Sequence, residues 1–514
     1  MKKIIVASAI FFSLVTCAVF IKGKSVANDL NTRLKVALNT TVPLEMLDTR
    51  EILDSSDYSV LELFLSTLVE YNNQGEIVGG LADRFYWDDN KLIFEFRNAT
   101  FSSGKKVTPE DAIASFKRLM ILNQNSHGDL VNLLCMDKRP QTLSDECLGL
   151  KADGNRLILV AKKQTPFLLP LLTSIDYGIL ARETIDNPEL KITSFEDTSG
   201  PYQLVKNGAK SHLEANKNHW HYRPRMPQVV EFVNFDYDSK SAKSAENLFI
   251  NGEVEFIPTA SQLRLSGWER LRSKFSKDFS AHITNPIALA FAEYTAVGLK
   301  LPVEKRRHIF ACMRRAVQKH MAKDSDGRIS TLQIIPPSAE GNLSLEQTTL
   351  IESEFEKLNE PCDALGIRIA VPEFLKGFYQ RVLDAEINNF TLIGFPDIMH
   401  FGDRTDEDVP EMTILGVDVA SIESINFISF SVKAGILTPP NNQTPADWLK
   451  QYFQNPDKPE RLSMLQKMQF YTVWEDPRIV PFTLRPFVSV IHGRWKTDFS
   501  KLFANDPFWR IELK

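Results

Sequence analysis

The sequence predicts an α/β protein built from two or three lobes. Its 514 residues are more than one hydrophobic core usually organises. Charged residues make up 24% and hydrophobic residues 43% of the chain, which is typical of a globular protein. Short alternating apolar segments, such as residues 34–38, are interleaved with segments whose apolar residues recur at helical spacing, such as residues 108–120. Together these observations favour strands and helices arranged around more than one core.

The N-terminus has the pattern of a secretion signal. Lysines precede an apolar run at residues 4–21, and small residues follow at 25–27. We therefore expect a signal peptide over residues 1–27. Two alternatives remain open, because the apolar run approaches the length of a membrane span and the segment ending at Cys17 resembles a lipoprotein box. All three outcomes place the rest of the chain outside the cytoplasm.

Four cysteines follow that segment, at positions 135, 147, 312 and 362. An oxidising compartment favours disulfides, and four cysteines allow three pairings. We expect the local pairs, Cys135 with Cys147 and Cys312 with Cys362, and buried free thiols are the alternative. No Cys-x-x-Cys spacing is present, so the sequence gives no zinc motif.

The elements follow in a regular order. A strand at 34–38 precedes a helix predicted over 58–70, and residues 79–172 are rich in strand patterns. Within that stretch Thr108 is the expected cap of a helix that has Pro109 at its first position. Further strands are predicted at 230–235, 366–371 and 390–395. A second α/β unit is expected to begin near residue 283.

Residues 62–120 carry the most specific pattern. An amphipathic helix, a turn at 72–75, the sequence Gly-Gly-Leu-Ala at 79–82, an aromatic strand pair, Phe-Ser-Ser-Gly at 101–104 and the capped helix come in that order. Segments 198–204, 213–220 and 245–256 add further matches. This order resembles the large bacterial periplasmic solute-binding proteins of family 5, which serve oligopeptide, dipeptide and nickel ABC transporters. The resemblance covers roughly residues 34–500.

The resemblance implies a bilobal periplasmic-binding-protein fold of type II with an extra inserted lobe. It implies a monomer in the periplasm that binds a peptide or small molecule in a cleft, delivers it to ABC permease subunits and needs no cofactor. The implied boundaries are a signal peptide at 1–27, a first lobe at 28–61, 173–285 and 480–514, an inserted lobe at 62–172, and a second lobe at 286–479.

Composition and motifs argue against other functions. The net charge of −5 is mild and scattered, so we expect no nucleic-acid surface. The sequence contains no G-x-S-x-G, H-E-x-x-H or Walker pattern. We therefore expect no enzyme and no metal site.

The resemblance also suggests ligand-binding residues. A peptide amine needs a carboxylate partner in a closed cleft, and in the family an aspartate beyond a second-lobe strand supplies it. We expect Asp397 in that role, with Phe395 as a pocket wall and Asp403 in reserve. The alternative for Asp397 is a turn cap.

Three further residues complete the candidate set. Phe374 aligns with a family aromatic that lines the pocket, and core packing is its alternative. Arg485 stands where peptide-binding relatives have a tyrosine, and a buried arginine there would favour a carboxylate or another anion; pairing with a local acid is its alternative. Asp48 is a weaker candidate in a first-lobe loop.

The predicted function is an extracytoplasmic receptor of an ABC importer that binds oligopeptides. Two alternatives remain. The same fold could bind a metal chelate, haem, an oligosaccharide or an anionic compound. It could also serve as a membrane-tethered sensor or scaffold that no longer transports.

Overall fold

The structure is a computed structural model, and our description covers most of the chain beyond residue 31. The described residues are 32–50, 55–122, 130, 133–135, 138–161, 164–165, 167–207, 210–237, 241–274, 278–321, 327–337, 339–362, 366–384, 386–395, 409–418, 438–441, 443–455, 457–502, 504 and 506–514. The predicted signal peptide, Cys17, Asp397 and Asp403 lie outside them.

The strands of the described residues are numbered in chain order. They are β1 (Arg33–Ala37), β2 (Val69–Tyr71), β3 (Ile77–Gly79), β4 (Ala82–Asp88), β5 (Lys91–Phe96), β6 (Leu150–Asp153), β7 (Arg156–Val160), β8 (Tyr202–Asn207), β9 (Lys210–Ala215), β10 (Val229–Val233), β11 (Phe256–Ile257), β12 (Phe279–Ile283), β13 (Ala288–Tyr294), β14 (Ile329–Ser330), β15 (Ile367–Pro372), β16 (Phe390–Phe395), β17 (Met412–Asp418), β18 (Ile479–Arg485), β19 (Val488–His492), β20 (Trp495–Thr497) and β21 (Ile511–Leu513).

The α-helices are numbered in the same way. They are α1 (Ser55–Phe64), α2 (Pro109–Leu122), α3 (Leu168–Leu171), α4 (Arg182–Ile185), α5 (Ala245–Ile250), α6 (Leu265–Lys274), α7 (Val303–Met321), α8 (Leu345–Lys357), α9 (Glu373–Leu383), α10 (Pro445–Gln454) and α11 (Lys458–Phe470). Short 3-10 or π turns occur at Leu44–Met46, Ile175–Tyr177, Thr259–Ser261, Gly298–Lys300, Tyr471–Glu475 and Phe508–Arg510. No described helix combines the length and apolar character that a membrane crossing requires.

Helix α2 begins as its sequence predicts. The amide of Thr108 donates to Asp111 Oδ2 at 2.9 Å, and the Asp111 amide donates back to Thr108 Oγ1 at 3.4 Å. These bonds satisfy amides at the start of the helix that lack an intrahelical acceptor, so the predicted cap is confirmed.

The first lobe is built on a seven-stranded sheet in the order β12-β19-β11-β1-β10-β9-β8. Strand β1 runs parallel to both β10 and β11, whereas β19 runs antiparallel to β11 and β12. Because β1, β10, β11 and β12 share one direction, their carboxyl ends lie at one edge. Both faces of the sheet are covered, with Leu34 and Phe256 in one core and Ile257 and Val490 in another.

The second lobe is built on a six-stranded sheet in the order β14-β18-β13-β17-β15-β16. Strands β15, β16 and β17 are parallel, and β13 runs antiparallel to β17 and β18. Helix α7 packs on this sheet through the Tyr294 ring, which stacks on Phe310 at 4.9 Å.

The inserted lobe has a four-stranded antiparallel sheet in the order β4-β5-β7-β6, against which α2 packs with the buried side chains of Phe116 and Met120. The inserted lobe also touches the second lobe. The ring of Phe167 stacks on Phe453 of α10, with centroids 4.1 Å apart.

The chain crosses between the first and second lobes twice. The first crossing joins Ile283 of β12 to Ala288 of β13, and the second joins Arg485 of β18 to Val488 of β19. The predicted return at residue 480 is therefore wrong. Strand β18 pairs with β13 and β14 along its length, so the second lobe extends to Arg485.

Two disulfides are present in the described residues. Cys135 joins Cys147 across a sequence separation of 12, and Cys312 joins Cys362 across a separation of 50. The first lies in the inserted lobe and the second ties α7 to the segment before β15.

Candidate functional site

The two crossings bring corresponding edges of the two large sheets together. Ile283 ends β12 at the carboxyl edge of the first sheet. Ala288 starts β13 opposite Asp418, the last residue of β17, so the crossings also meet the carboxyl edge of the second sheet. In open α/β sheets, ligands bind in the crevice outside the carboxyl ends of the strands. The space beside the crossings is therefore the candidate site.

Three chain segments meet at Gly327, just before β14. A Cβ atom on Gly327 would lie 2.9 Å from Cδ2 of Leu265 and 3.6 Å from Cγ of Pro486. Gly327 also has a φ of 67°, a conformation that favours glycine. Leu265 starts α6 of the first lobe and Pro486 lies in the second crossing. The two lobes are thus in contact at this point.

An arginine adjoins each of these residues in sequence: Arg264, Arg328 and Arg485. We call them the crossing arginines. The guanidinium carbon of Arg328 lies 5.1 Å from the Phe378 ring centroid, and that of Arg485 lies 5.0 Å from the Phe487 centroid. Such distances are typical of cation–π contacts.

The charges of the crossing arginines affect the phenol of Tyr379. Its side chain, on α9, is buried. Burial raises the pKa of the Tyr379 phenol, and the charges of all three crossing arginines act against that rise. The three arginine charges therefore act on one phenol, and the rings of Phe378 and Phe487 lie beside two of these arginines.

A carboxylate stands at the same edge of the second sheet. Glu373 is the first residue of α9, directly after β15, and is exposed. A Cβ on Gly394 of β16 would collide with Glu373 Oε2 at 1.4 Å, so the carboxylate covers the backbone near the end of β16.

The comparisons with known proteins agree with this architecture. Residues 76–295 match the family described as "Bacterial extracellular solute-binding proteins, family 5 Middle". The described residues have the bilobal α/β fold of solved periplasmic binding proteins.

Individual relatives are distant. The "Periplasmic murein peptide-binding protein MppA" of Escherichia coli (strain K12) is 22% identical over 279 residues, which are 51% of this chain and 49% of that protein. The chain thus matches about half the length of this curated relative.

Solved structures cover nearly all of the chain. NikA from Brucella suis in complex with Fe(III)-EDTA has a TM-score of 0.72 at 14% identity, covering 94% of this chain and 100% of that one. The substrate-binding domain of an oligopeptide ABC transporter from Bacillus anthracis str. Ames has a TM-score of 0.68 at 14% identity, covering 94% and 99%. At this identity the likeness establishes the fold.

Three of the sequence-predicted residues lie at the carboxyl edge of the second sheet, and their roles as ligand contacts stay predictions. Phe395 is the last residue of β16, in register with Pro372, and Phe374 follows as the second residue of α9. Arg485 ends β18 opposite Ala288. Asp397 and Asp403 follow β16 outside the described residues, so their roles stay predictions.

Asp48 is engaged in a buried ion pair with Arg118. Both of its carboxylate oxygens accept hydrogen bonds from Arg118 Nη2, at 2.6 and 2.5 Å, and both side chains are buried. The loop therefore uses Asp48 to hold helix α2 of the inserted lobe. Its predicted role as a ligand contact is not retained, because Arg118 already engages both oxygens.

The sequence reasoning did not single out Arg264, Arg328 or Glu373. No local sequence pattern marks the two arginines. The residues beside them come into contact only when the chain crosses between the lobes. Glu373 did have a signal: an acid that opens a helix directly after a buried strand lies at the carboxyl edge of a parallel sheet.

The histidines of 219–221 are engaged elsewhere. His219 Nε2 lies 3.0 Å from Ser66 Oγ, and His219 Nδ1 accepts from the His221 amide at 3.1 Å. His221 Nε2 lies 3.0 Å from Glu70 Oε1. Among the described residues, no group of three or more His, Cys, Asp or Glu side chains could hold a metal ion.

Proposed function

We propose that this chain is the extracytoplasmic receptor of an ABC importer and that it binds oligopeptides between its two lobes. The observation that carries the proposal is the meeting of both carboxyl sheet edges at the two crossings. The family 5 match supports it. A further support is that the solved proteins with this fold include one described as an oligopeptide transporter component.

A peptide needs an anion for its amine and roomy walls for its side chains. Glu373, at the carboxyl edge of the second sheet, is a described carboxylate that suits the amine. Asp397, two residues beyond β16, is the sequence-based candidate for the same role. Phe374 and Phe395, on adjoining segments of that edge, are the proposed pocket walls.

Binding is proposed to work by lobe closure. A ligand that touches both lobes stabilises the closed arrangement by its differential affinity for it, and permease subunits would recognise the closed form. This function needs no covalent step and no cofactor, so we propose a binding protein and not an enzyme. We also propose that residues 1–27 direct export to the periplasm and that the receptor is monomeric.

One observation favours a second candidate function. A solved protein with this fold, NikA, is described as a complex with Fe(III)-EDTA, with a TM-score of 0.72. The crossing arginines would also suit an anionic chelate. We therefore keep a metal chelate or another anionic small molecule as the alternative ligand.

Native mass spectrometry of the protein purified from its host without refolding tests the proposal. Adducts spread over peptide masses are expected for an oligopeptide receptor. A single adduct carrying iron or nickel would support the chelate instead. An empty protein that also fails to bind tripeptides, murein tripeptide and Fe(III)-EDTA in calorimetry would contradict both and favour a sensor or scaffold.

A further inference from the structure

The two disulfides lie in different chemical surroundings. Cys135 Sγ is 3.4 Å from the thioether sulfur of Met120, and both cysteines of this bridge are buried. In the other bridge, Arg315 Nη2 donates to Cys362 Sγ at 2.7 Å and to Cys312 Sγ at 3.4 Å. Burial disfavours a thiolate in both bridges, but only the second has a cation in contact with both of its sulfur atoms.

Backbone carbonyls hold the Arg315 side chain in this position. Its Nη1 donates to the Leu358 carbonyl at 2.5 Å, and its Nη2 also donates to the Glu360 carbonyl at 3.0 Å. These two oxygens and the two sulfur atoms carry no formal charge, so they do not neutralise the guanidinium. A cation fixed beside a sulfur atom stabilises its thiolate form.

An imidazole adjoins the same bridge. His308 lies four residues before Cys312 on α7, and its Nε2 is 3.7 Å from Cys312 Sγ. An imidazole N–H can donate a hydrogen bond to a thiolate. Glu360 opposes this effect, since its Oε2 is 4.0 Å from His308 Nδ1, but the Glu360 side chain is 77% exposed and its charge is screened by water and salt. Two groups would thus stabilise a thiolate formed at Cys312.

Cys362 is the more accessible of the two cysteines. Cys312 lies within α7 and is fully buried, whereas Cys362 directly follows Glu360 and Pro361, which are exposed. Residues 358–362 form neither helix nor strand. A short surface segment of this kind can open locally while the rest of the protein stays folded. An incoming thiolate therefore reaches Cys362 Sγ more readily than Cys312 Sγ.

We propose that Cys312–Cys362 is a thiol-exchange site that a dithiol reductant opens, and that Cys135–Cys147 is a purely structural bridge. The inference goes beyond the proposed receptor function and does not depend on which ligand binds. Opening the bond would remove the covalent link between α7 and the segment that leads into β15, the strand that ends beside Glu373 at the candidate site.

The exchange has two steps. A thiolate of the reductant attacks Cys362 Sγ and forms a mixed disulfide, while the electron pair of the broken bond stays on Cys312 Sγ as a thiolate. The second thiol of the reductant then attacks the reductant's own sulfur in the mixed disulfide and releases Cys362. Two electrons pass to the two cysteines, the reductant leaves as a disulfide, and its two thiol protons go to the cysteine sulfurs or to water. Such exchange is faster when the departing sulfur is a more stable thiolate, which is the position that Arg315 and His308 adjoin.

Timed reduction of the native, whole protein by dithiothreitol at neutral pH tests the proposal. Free thiols are trapped with N-ethylmaleimide at intervals, and mass spectrometry of the peptides follows each bridge separately. We expect Cys312–Cys362 to be reduced about tenfold faster than Cys135–Cys147. In protein unfolded by guanidinium chloride the two rates should become similar, because the surroundings of both bridges are lost. Equal rates in the native protein, or faster reduction of Cys135–Cys147, would overturn the proposal.

Arg315→Gln separates an electrostatic role from a structural one, because the two roles change the rate in opposite directions. Loss of the charge should slow the reduction of Cys312–Cys362 by about three- to tenfold. If Arg315 only held residues 358–362 in place, its loss would loosen them and speed the reduction, and that result would contradict the proposal. Arg315→Lys keeps the charge and should restore most of the wild-type rate. Arg84→Gln is the matched control, because the Arg84 side chain is 71% exposed in the inserted lobe, and it should leave both rates unchanged.

His308→Gln keeps the proposal testable if Arg315→Gln does not fold. It should slow the reduction of Cys312–Cys362 and leave that of Cys135–Cys147 unchanged, because His308 adjoins only the first of these bridges. If no folded variant of Arg315 or His308 slows the reduction, the thiol-exchange site is excluded.

Discussion

Arg118 of the inserted lobe and Asp48 of the first lobe form a buried ion pair, with Nη2 2.6 and 2.5 Å from the two carboxylate oxygens. The same guanidinium donates from Nη1 to Thr49 Oγ1 at 3.1 Å and from Nε to the Leu190 carbonyl at 2.6 Å. The arginine thus has partners on two segments and fixes the inserted lobe to the loop that follows β1.

Replacing one partner of this ion pair should lower the free energy of unfolding. Asp48→Ala is expected to lower the free energy of unfolding by about 3 to 5 kcal/mol, since it leaves a buried arginine uncompensated. Urea denaturation measures the change, with Asp83→Ala as the control because Asp83 is 71% exposed. The double variant Asp48→Ala/Arg118→Ala should lose less than the sum of the single losses. Normal stability with lost ligand affinity would instead restore Asp48 as a ligand contact.

The Phe167–Phe453 stack should bias the lobes towards closure, because it joins the inserted lobe to the second lobe. Phe453→Ala is expected to shift the equilibrium by about 1 to 3 kcal/mol towards the open form. Small-angle scattering of the ligand-free protein should then give a larger radius of gyration. In Phe279→Ala, which breaks a ring contact with Trp268 inside the first lobe, the radius should not change. Equal radii for wild type and Phe453→Ala would contradict the prediction.

Two glutamates near each other in the second sheet should respond oppositely to pH. Burial raises the pKa of Glu293 to about 7, so the folded state favours its protonated form and loses stability as the pH rises from about 4.5 through 7. Glu293→Gln should therefore be more stable than wild type above pH 7, by about 3 kcal/mol at most, and nearly equal at pH 4.5. Thermal unfolding between pH 4 and 8 measures this.

The pKa of Glu411 is shifted in the opposite direction to that of Glu293. Burial acts to raise its pKa, but hydrogen bonds from Arg368 outweigh burial and hold the pKa below its usual value. Its contribution is present above pH 4.5 and is lost as the pH falls through the folded-state pKa. Glu411→Gln should consequently destabilise the protein at neutral pH. A gain in stability for Glu411→Gln, or a loss for Glu293→Gln, at pH 8 would reverse the assignment.

The two disulfides should differ in their contributions because they close loops of different length. The chain-entropy relation gives about 4 kcal/mol for the Cys312–Cys362 separation and about 3 kcal/mol for Cys135–Cys147. Paired Cys→Ser variants of each bridge, compared by denaturant unfolding, should follow that order. A larger loss from the Cys135–Cys147 pair would mean that local packing outweighs loop closure.

Asp397 remains a prediction from the sequence. Asp397→Asn should weaken the binding of a free-amine tripeptide by tenfold or more, as expected for a lost charge-assisted hydrogen bond (about 1.5 to 3 kcal/mol), and should change the N-acetylated form little. Calorimetry with both peptides compares them. Equal losses for both forms would exclude the ion pair, and the same test on Asp403→Asn and Glu373→Gln would then identify the partner of the amine.

The local sequence pattern did not predict the end of helix α1 correctly. The apolar residues at 58–70 fit a helix, yet α1 ends at Phe64 and Val69 starts β2. A Cβ on Gly200 would lie 2.4 Å from the Phe64 carbonyl carbon, and Val69 pairs with Gly79. Backbone packing and strand pairing, which lie outside a local window, decided where the helix stopped.

The sequence by itself determined the α/β class, the cap of α2 and the resemblance to family 5. These follow from residues close together in the chain, whose spacing fixes periodicity and capping. Only the tertiary structure decided that β18 belongs to the second sheet, that Asp48 is engaged by Arg118, and that Leu265, Gly327 and Pro486 meet. Each of these depends on contacts between segments far apart in sequence, and such contacts exist only once the sheets have paired and the chain has crossed between them.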